Sequence, residues 1–455
     1  MKYDLAIIGG GINGAGIARD AALRGLKVIL VEKEDFGVGA SSKSSKLAHG
    51  GLRYLQQYDF KLVKSCLAER DLLLSNLPEL VKPQPFIYPV YKTSPKPLWM
   101  VKLGLYIYDY LARHGALPKH RNLSLSEIAT KCPGLKQEGL RGGCLYYDGL
   151  MEDAQIVIQN ILDAEKHGAT VLNYQQVTRL KKINGRVTGF YYGQEEVDAD
   201  VVINATGAWS RDFFESENIH PRYRVTPTKG VHLVIQQVIP DYALTLTAHD
   251  GRVFFLIPWH GCSLLGTTDT FYNGDPNAVS VEKDDIDYLL KAFAYYFPDT
   301  KPEIISSFAG LRPLVSFNTA NPSDLLRDHL IDHSVPGMLS FLGGKYTSYR
   351  ETAAEVVDEA YRILNKPKVA CQTVHRPIVS DKQKVIADMI AKDPQEGQRI
   401  CAHHPHVLAE VTYAIEYEKA KTLEDWLFRR TSIGYTACGG KECSPLVAEK
   451  FRSLK

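Results

Sequence analysis

The chain has 455 residues, 54 basic against 52 acidic, and a net charge of +2 at pH 7. That balance removes any global case for nucleic acid and leaves anionic ligands to local basic clusters. The length exceeds one ordinary hydrophobic core, so two or three domains are expected, and 45% hydrophobic with 23% charged residues suits a soluble globular protein.

The eight cysteines stand at 66, 132, 144, 262, 371, 401, 438 and 443, a spacing unlike a disulfide framework and suited to a reducing compartment. Met1 runs at once into the strand YDLAIIG, without the charged and apolar regions of a signal peptide. No run of about 18 apolar residues occurs. A cytoplasmic body is expected, with peripheral attachment to the cytoplasmic face of the inner membrane left open.

The first segment, DLAIIGGGINGAGIARDAALRGLKVILVEKE, reads as strand, glycine-rich turn, helix and second strand. Gly9, Gly11 and Gly14 form GxGxxG at the junction: a tight turn, clearance for a pyrophosphate and close helix–strand contact. The helix N-terminus offers free N–H groups to phosphate. Glu32, about 20 residues on, stands where a carboxylate meets ribose hydroxyls. Residues 44–55, SSKLAHGGLRYL, are small and flexible and end on an Arg–Tyr pair, which implies close backbone approach to a ligand.

Residues 96–114 combine Trp99, three tyrosines and basic residues with an apolar face, which suits an interfacial helix or a buried one. Residues 153–167 have helical spacing, and Asn184–Gly185 marks a hairpin. VVIN then ends in Ala-Thr-Gly, either a passage beside a nucleotide or simply a tight strand–helix junction. From about 214 to 304, strand-like runs predict an antiparallel sheet inserted as a second domain, with one helix ending at Pro298. MLSFLG leads into Gly343-Gly344-Lys345, expected to open a helix facing an electron-rich group. Residues 381–430 read as a small helical domain. CAHHPH (401–406) reads as a helix start at Pro405 rather than a metal site, and Cys438 and Cys443 as a mobile tail rather than a redox or iron–sulfur pair.

GGGINGAGIARDAALRG, SSKLAHGGLRYL, NATGAWS, KGVHL, GTTDT, AGLRPL and GGKYTSYRETA together resemble the FAD-dependent glycerol-3-phosphate dehydrogenases over nearly the whole chain, and TLEDWLFRRTSIG resembles that family's helical C-terminal domain. The resemblance implies an α/β fold shared with glycine and D-amino-acid oxidases. A Rossmann-type FAD-binding domain (1–75, 146–213, 305–366) carries an antiparallel substrate domain (76–145, 214–304) and a helical C-terminal domain (367–455). It implies oxidation of sn-glycerol 3-phosphate to dihydroxyacetone phosphate through non-covalent FAD, with electrons passing to a quinone. Oxygen is the alternative acceptor; an amine or amino-acid oxidase and a silent nucleotide-binding sensor are the other readings. Homodimer formation is left open.

The expected FAD contacts are Gly9, Gly11, Asn13, Gly14, Glu32, Lys33, Ser44, Ser45, Lys46, His49, Gly50, Gly51, Val177, Ala205, Thr206, Gly207, Trp209, Gly344, Lys345 and Thr347. A substrate dianion requires fixed cations, and arginine's planar fork suits phosphate; Arg53, Arg312, Arg327 and Lys345, with Tyr54, fill that role at positions matching the family's motifs. His232 is the expected general base, a satisfied core histidine being the alternative; Arg312 is expected to stabilise the developing alkoxide, and Lys345 either to do the same or to serve as the base.

Overall fold

The computed structural model describes residues 2–112, 115–316 and 329–454, leaving aside the side chains of Arg53, Gln56, Gln57, Arg224 and Ser316. Arg327 therefore lies outside the described residues, as does the side chain of Arg53.

The apolar runs KYDLAII (Lys2–Ile8), VILV (Val28–Val31) and the end of Glu195–Asn204 lack the alternation of a half-exposed strand. Strands of that kind need cover on both faces. They lie side by side in an eight-stranded sheet, with Met338–Gly343 parallel beside Glu195–Asn204 and Thr170–Leu172 parallel beside Val28–Val31. Because side chains alternate across a strand, Leu5 and Ile7 join the core under the helices Ile12–Leu23, Asp153–Lys166 and Tyr349–Leu364. Ala6 and Ile8 face the other way, against Phe190 of the hairpin Val177–Ile183/Arg186–Tyr192. That hairpin turns at Asn184 and Gly185, both with positive φ, as the Asn–Gly pair predicts.

The second sheet has ten strands and is mostly antiparallel. Its longest pairing joins Arg224–Gln236 to Ile304–Ser316. Residues 304–316 thus belong to this sheet although the boundary at 305 groups them with the FAD domain: their register with Arg224–Gln236 continues along nearly the whole strand and outweighs their proximity in sequence to Met338–Gly343. Helix Lys283–Tyr296 covers one face, and it stops at Phe297, before Pro298. Helices Phe60–Asn76 and Leu98–Ala112 cover another core.

The C-terminal residues form a small helical unit around Trp426, Cys443 and Val447. The sequence suggests one helical run from 407 to 430, but the chain breaks after Leu408–Glu416. Lys419 takes a left-handed conformation, and Thr422 with Asp425 caps a fresh turn. CAHHPH does not begin a helix at Pro405; it forms a loop closed by a bridge between Arg399 and Val407, and the helix starts at Leu408. The tail reading of residues 438–443 also fails, because Cys443 is fully buried and Ser444–Ser453 forms a helix. Asp35 docks this unit onto the first sheet's side: its carboxylate accepts from Arg430 at 2.6 and 2.9 Å and from Arg429, all three groups buried.

Candidate active site

The C-terminal ends of the parallel strands open into a cavity of about 800 Å³ that the second sheet roofs. Crevices at this end of an α/β sheet are where such folds take ligands. One wall is Gly9, Gly11 and Asn13, Glu32 and Lys33, Ala205 to Trp209, and Gly344 to Thr347; the other includes Gly230, His232, Thr245, Phe255 and Gly310 to Leu314. Val177, Ser44, Ser45, His49, Gly51 and Tyr54 also line it.

The glycine turn is dictated by contact. Gly9 has φ of 110°, and a Cβ on Gly14 would stand 1.9 Å from the Gly9 carbonyl oxygen. Gly14 therefore does not line the cavity; it lets helix Ile12–Leu23 start close against the turn, with Gly11, Ile12 and Asn13 lining the open space. Glu32 is buried at the rim, where its carboxylate accepts from Gly10 N at 2.7 Å and Glu34 N at 3.0 Å. Burial raises its pKa, opposed by those two N–H groups. Lys33 and Trp209 share Asn277: Lys33 Nζ and Trp209 Nε1 both donate to its Oδ1, at 2.6 and 2.8 Å.

The SSKLAHGGLRYL segment divides its residues between wall and support. Ser45 Oγ sits 2.8 Å from His232 Nε2, and His49 N donates to Thr347 Oγ1. Lys46 and Gly50 are not part of the lining. Lys46 Nζ is buried against Asp153 at 2.7 Å and Ser42 O at 2.8 Å, because an ammonium in that interior needs a carboxylate. Gly50 N is held by Tyr108 Oη at 2.8 Å, with Leu67 where a Cβ would stand. Gly344 to Thr347 form a turn ahead of the helix rather than its first turn, since Tyr349 begins it.

His232 is 2% exposed, stacks on Phe308 at 5.1 Å and has no described hydrogen-bond partner for Nδ1. Burial, then the charges of Arg312 and Lys46, hold its pKa well below 6.5, so the ring is neutral. Arg312 donates to Thr267 Oγ1 at 2.8 Å and to Asp269 at 3.2 Å, and reaches across Gly230, where a Cβ would collide with its guanidinium at 2.3 Å. Lys345 Nζ is buried, lies 4.1 Å from the centre of the Tyr54 ring and has no hydrogen-bond partner among the described residues. Asn13 Oδ1 is likewise buried without one.

Two groups in the lining escaped the sequence reading. Lys43 faces the cavity beside Gly310, and burial, reinforced by Lys46 and Arg429, lowers its pKa to about 8. The first lysine of KSSK, Lys43 itself, was the available signal. Ser41 Oγ accepts from Ile12 N at 2.9 Å and so occupies the first free donor of the glycine-turn helix; nothing in its sequence context marks it.

A glycine cradle at a helix start, a ribose-position carboxylate and a cation-bearing roof define a dinucleotide-binding redox enzyme. A family model described as FAD dependent oxidoreductase matches residues 4–350, and one for the C-terminal domain of alpha-glycerophosphate oxidase matches residues 380–453. The chain is 34% identical to the glycerol-3-phosphate dehydrogenase of Synechocystis sp., covering 96% of this chain and 91% of the relative. It is also 34% identical to the D-erythritol 1-phosphate dehydrogenase of Brucella abortus, covering 94% of each. The solved glycerol-3-phosphate dehydrogenase from Bacillus halodurans, complexed with FAD, superposes with a TM-score of 0.75 at 26% identity, covering 99% of this chain and 94% of that one.

The chain belongs to the FAD-dependent oxidoreductases and, within them, to the glycerol-3-phosphate dehydrogenase family. It is an enzyme and its cofactor is FAD. Asn13 Oδ1, buried with no hydrogen-bond partner among the described residues, and the close-packed glycine turn fit a large polar cofactor in this cavity.

Proposed function

We propose that this chain oxidises sn-glycerol 3-phosphate to dihydroxyacetone phosphate and delivers the electrons to a quinone. The observation that carries the substrate is Lys345: a buried ammonium with no described hydrogen-bond partner, in the same cavity as the Arg312 fork. A buried ammonium of that kind is costly without an anion beside it and favourable with a phosphate dianion. Tyr54, Arg53 and Arg327 join the phosphate site in this reading.

FAD supplies the two-electron acceptor for the hydride that leaves C2 of the alcohol. The hydroxyl proton goes to His232. Ser45 orients its Nε2, and the ring is already neutral, so it can accept. Its basicity is low because the ring is buried, with Arg312 and Lys46 adding to the effect; a bound dianion beside it acts in the opposite direction. Arg312 then stabilises the alkoxide as it develops. In the same reading the glycine turn with Asn13 holds the pyrophosphate, and Glu32 and Lys33 hold the adenosine end with Val177, Ala205, Thr206, Gly207 and Trp209. Ser44, Ser45, His49, Gly51 and Gly344 to Thr347 border the flavin, which is held without a covalent bond.

The quinone acceptor is supported by the helix Leu98–Ala112. Val101, Leu105 and Tyr108 form its inward stripe, yet Trp99, Leu103, Tyr106 and Tyr110, spaced on another stripe, are 63, 50, 66 and 74% exposed. Aromatic and aliphatic side chains left in water along one stripe suit the headgroup layer of a bilayer, where a membrane quinone can be reached. No described helix is long and apolar enough to cross a membrane.

The test is anaerobic reduction of the purified yellow protein. Glycerol 3-phosphate should bleach the flavin within one turnover, and a quinone should restore its colour. A flavin that stays oxidised with glycerol 3-phosphate but bleaches with erythritol phosphate or an amino acid would overturn the substrate. Matching peroxide production in air would overturn the acceptor. Replacing Trp99 and Tyr106 with Asp should abolish cosedimentation with lipid vesicles while soluble-acceptor turnover persists; vesicle binding that survives the change refutes the helix's role.

A further inference from the structure

The C-terminal unit carries a cluster that flavin chemistry does not use. Cys401, His404 and Cys438 bring one ligand atom each to within 4.8 Å of one another. Cys443 is fully buried in the same core, its thiol donating to Gly440 O at 3.3 Å. We propose that these four side chains bind one zinc ion, which fastens the C-terminal unit and the cavity wall behind it.

The chemistry of the donors favours zinc. Three thiols and one imidazole match the Cys3His set of closed structural sites, and the spacing within the chain, Cys-x-x-His followed by Cys-x4-Cys, supplies two ligands from each of two loops. Ligand atoms this close leave room for a single ion, not a polynuclear cluster. Soft thiolate ligands in a tetrahedral arrangement select zinc over magnesium or calcium. The loops also show how ligands could close on an ion. Gly439 and Gly440 take φ of 56° and 69°, turning the chain tightly between the two cysteines. Thr436 Oγ1 lies 2.9 Å from His404 Nε2 and 3.7 Å from Cys438 Sγ, contacts that ligation through those atoms would exchange for coordinate bonds.

Charge points the same way. Three thiolates and a neutral imidazole around Zn²⁺ leave one net negative charge. Arg399 stands over the first loop, its Nη2 donating to the carbonyls of Ala402 and His404 at 3.2 and 3.0 Å. Lys441 belongs to the second loop.

The bland reading is a set of packed core thiols. It accounts for Cys443, whose thiol donates to Gly440 O, but not for the convergence of His404 with Cys401 and Cys438 from two irregular loops. A helical unit whose longest helix is 11 residues also buries little apolar surface, the situation in which a structural metal stabilises most. The ion would act beyond its own unit. The segment it closes includes Tyr435, whose hydroxyl accepts from Lys43 Nζ and whose ring meets Phe308 at 5.2 Å, the same Phe308 that stacks on His232.

The experiment measures metal in the FAD-loaded full-length protein purified without chelator. About one zinc per chain is expected. It should fall below one tenth in Cys438→Ser and His404→Gln, remain in the control Cys371→Ser, and its loss should lower the unfolding midpoint by about 5 °C or more. Protein stripped under reducing conditions should take up one cobalt ion with tetrahedral thiolate absorption, an assay that does not depend on any variant folding. Absence of zinc together with failure of the reduced, stripped protein to take up cobalt refutes the site. So does iron at full occupancy, a disulfide among these cysteines in the freshly purified protein, or zinc retained in both ligand variants.

Discussion

Replacing Lys345 with methionine separates a substrate-binding cation from a structural one. The ammonium is buried without a described hydrogen-bond partner and touches the Tyr54 ring at 4.1 Å. Leaving a buried donor unsatisfied costs about 1–3 kcal/mol, while the cation–π contact returns roughly 0.5–2 kcal/mol. Methionine keeps the length of the side chain and removes both terms, so the substrate-free, FAD-loaded protein should change stability by about −1 to +2 kcal/mol. Ordinary removal of a paired buried cation would instead cost about 3–5 kcal/mol. A charge-assisted bond to phosphate is worth about 1.5–3 kcal/mol, so KM for glycerol 3-phosphate should rise roughly 10- to 150-fold. Denaturant unfolding without substrate gives the first quantity, and steady-state kinetics with a soluble acceptor gives the second. A variant that loses more than about 2 kcal/mol and keeps the wild-type KM refutes the reasoning, because Lys345 would then be satisfied within the protein.

His232→Gln should retain flavin and lower kcat by about 10²–10⁴. It should also flatten the acid limb of stability. With a folded pKa below 6.5, His232 costs the wild type nothing above that pH. As pH falls below 6.5 the unfolded chain protonates first, removing up to about 1.4 kcal/mol per pH unit until the folded pKa is reached. Equal slopes for both proteins as pH falls below about 6.5 would show that the ring is not held neutral. Asp35→Asn should destabilise by about 3–5 kcal/mol, measured by denaturant unfolding, since it leaves Arg429 and Arg430 buried with their counter-charge removed. Although burial raises the Asp35 carboxyl, Arg430 and Arg429 hold it below its usual value. Its contribution is therefore present above about pH 4 and is lost as pH falls through the folded pKa. A loss under about 1 kcal/mol would mean that the C-terminal unit is held by other contacts.

Sequence carried the first sheet's identity because its signals are local. A glycine turn between an unbroken apolar strand and an amphipathic helix has few other solutions, and the collision of a Gly14 Cβ with Gly9 O is the physical content of that motif. The Asn184–Gly185 turn and the stop before Pro298 were legible for the same reason. The helical run over 407–430 was not. Its composition favours helix throughout, and only the cap at Thr422 and the demand that Arg429 and Arg430 meet Asp35, nearly four hundred residues away in sequence, break it.

The candidate site divides along the same line. By itself the sequence determined the residue types: the glycines of the turn, the acid at Glu32, a histidine on a strand, and arginine and lysine beside glycine or proline. Tertiary structure decided which of them meet. It turned Lys46 away from the cavity onto Asp153 while leaving Lys345 without a described hydrogen-bond partner in it. It also neutralised His232 by burial near Arg312 and brought Cys401, His404 and Cys438 from two loops into one cluster, with Cys443 in the same core. Backbone geometry is set by neighbours a few residues away, whereas burial, pairing and convergence depend on segments that only the completed fold brings together.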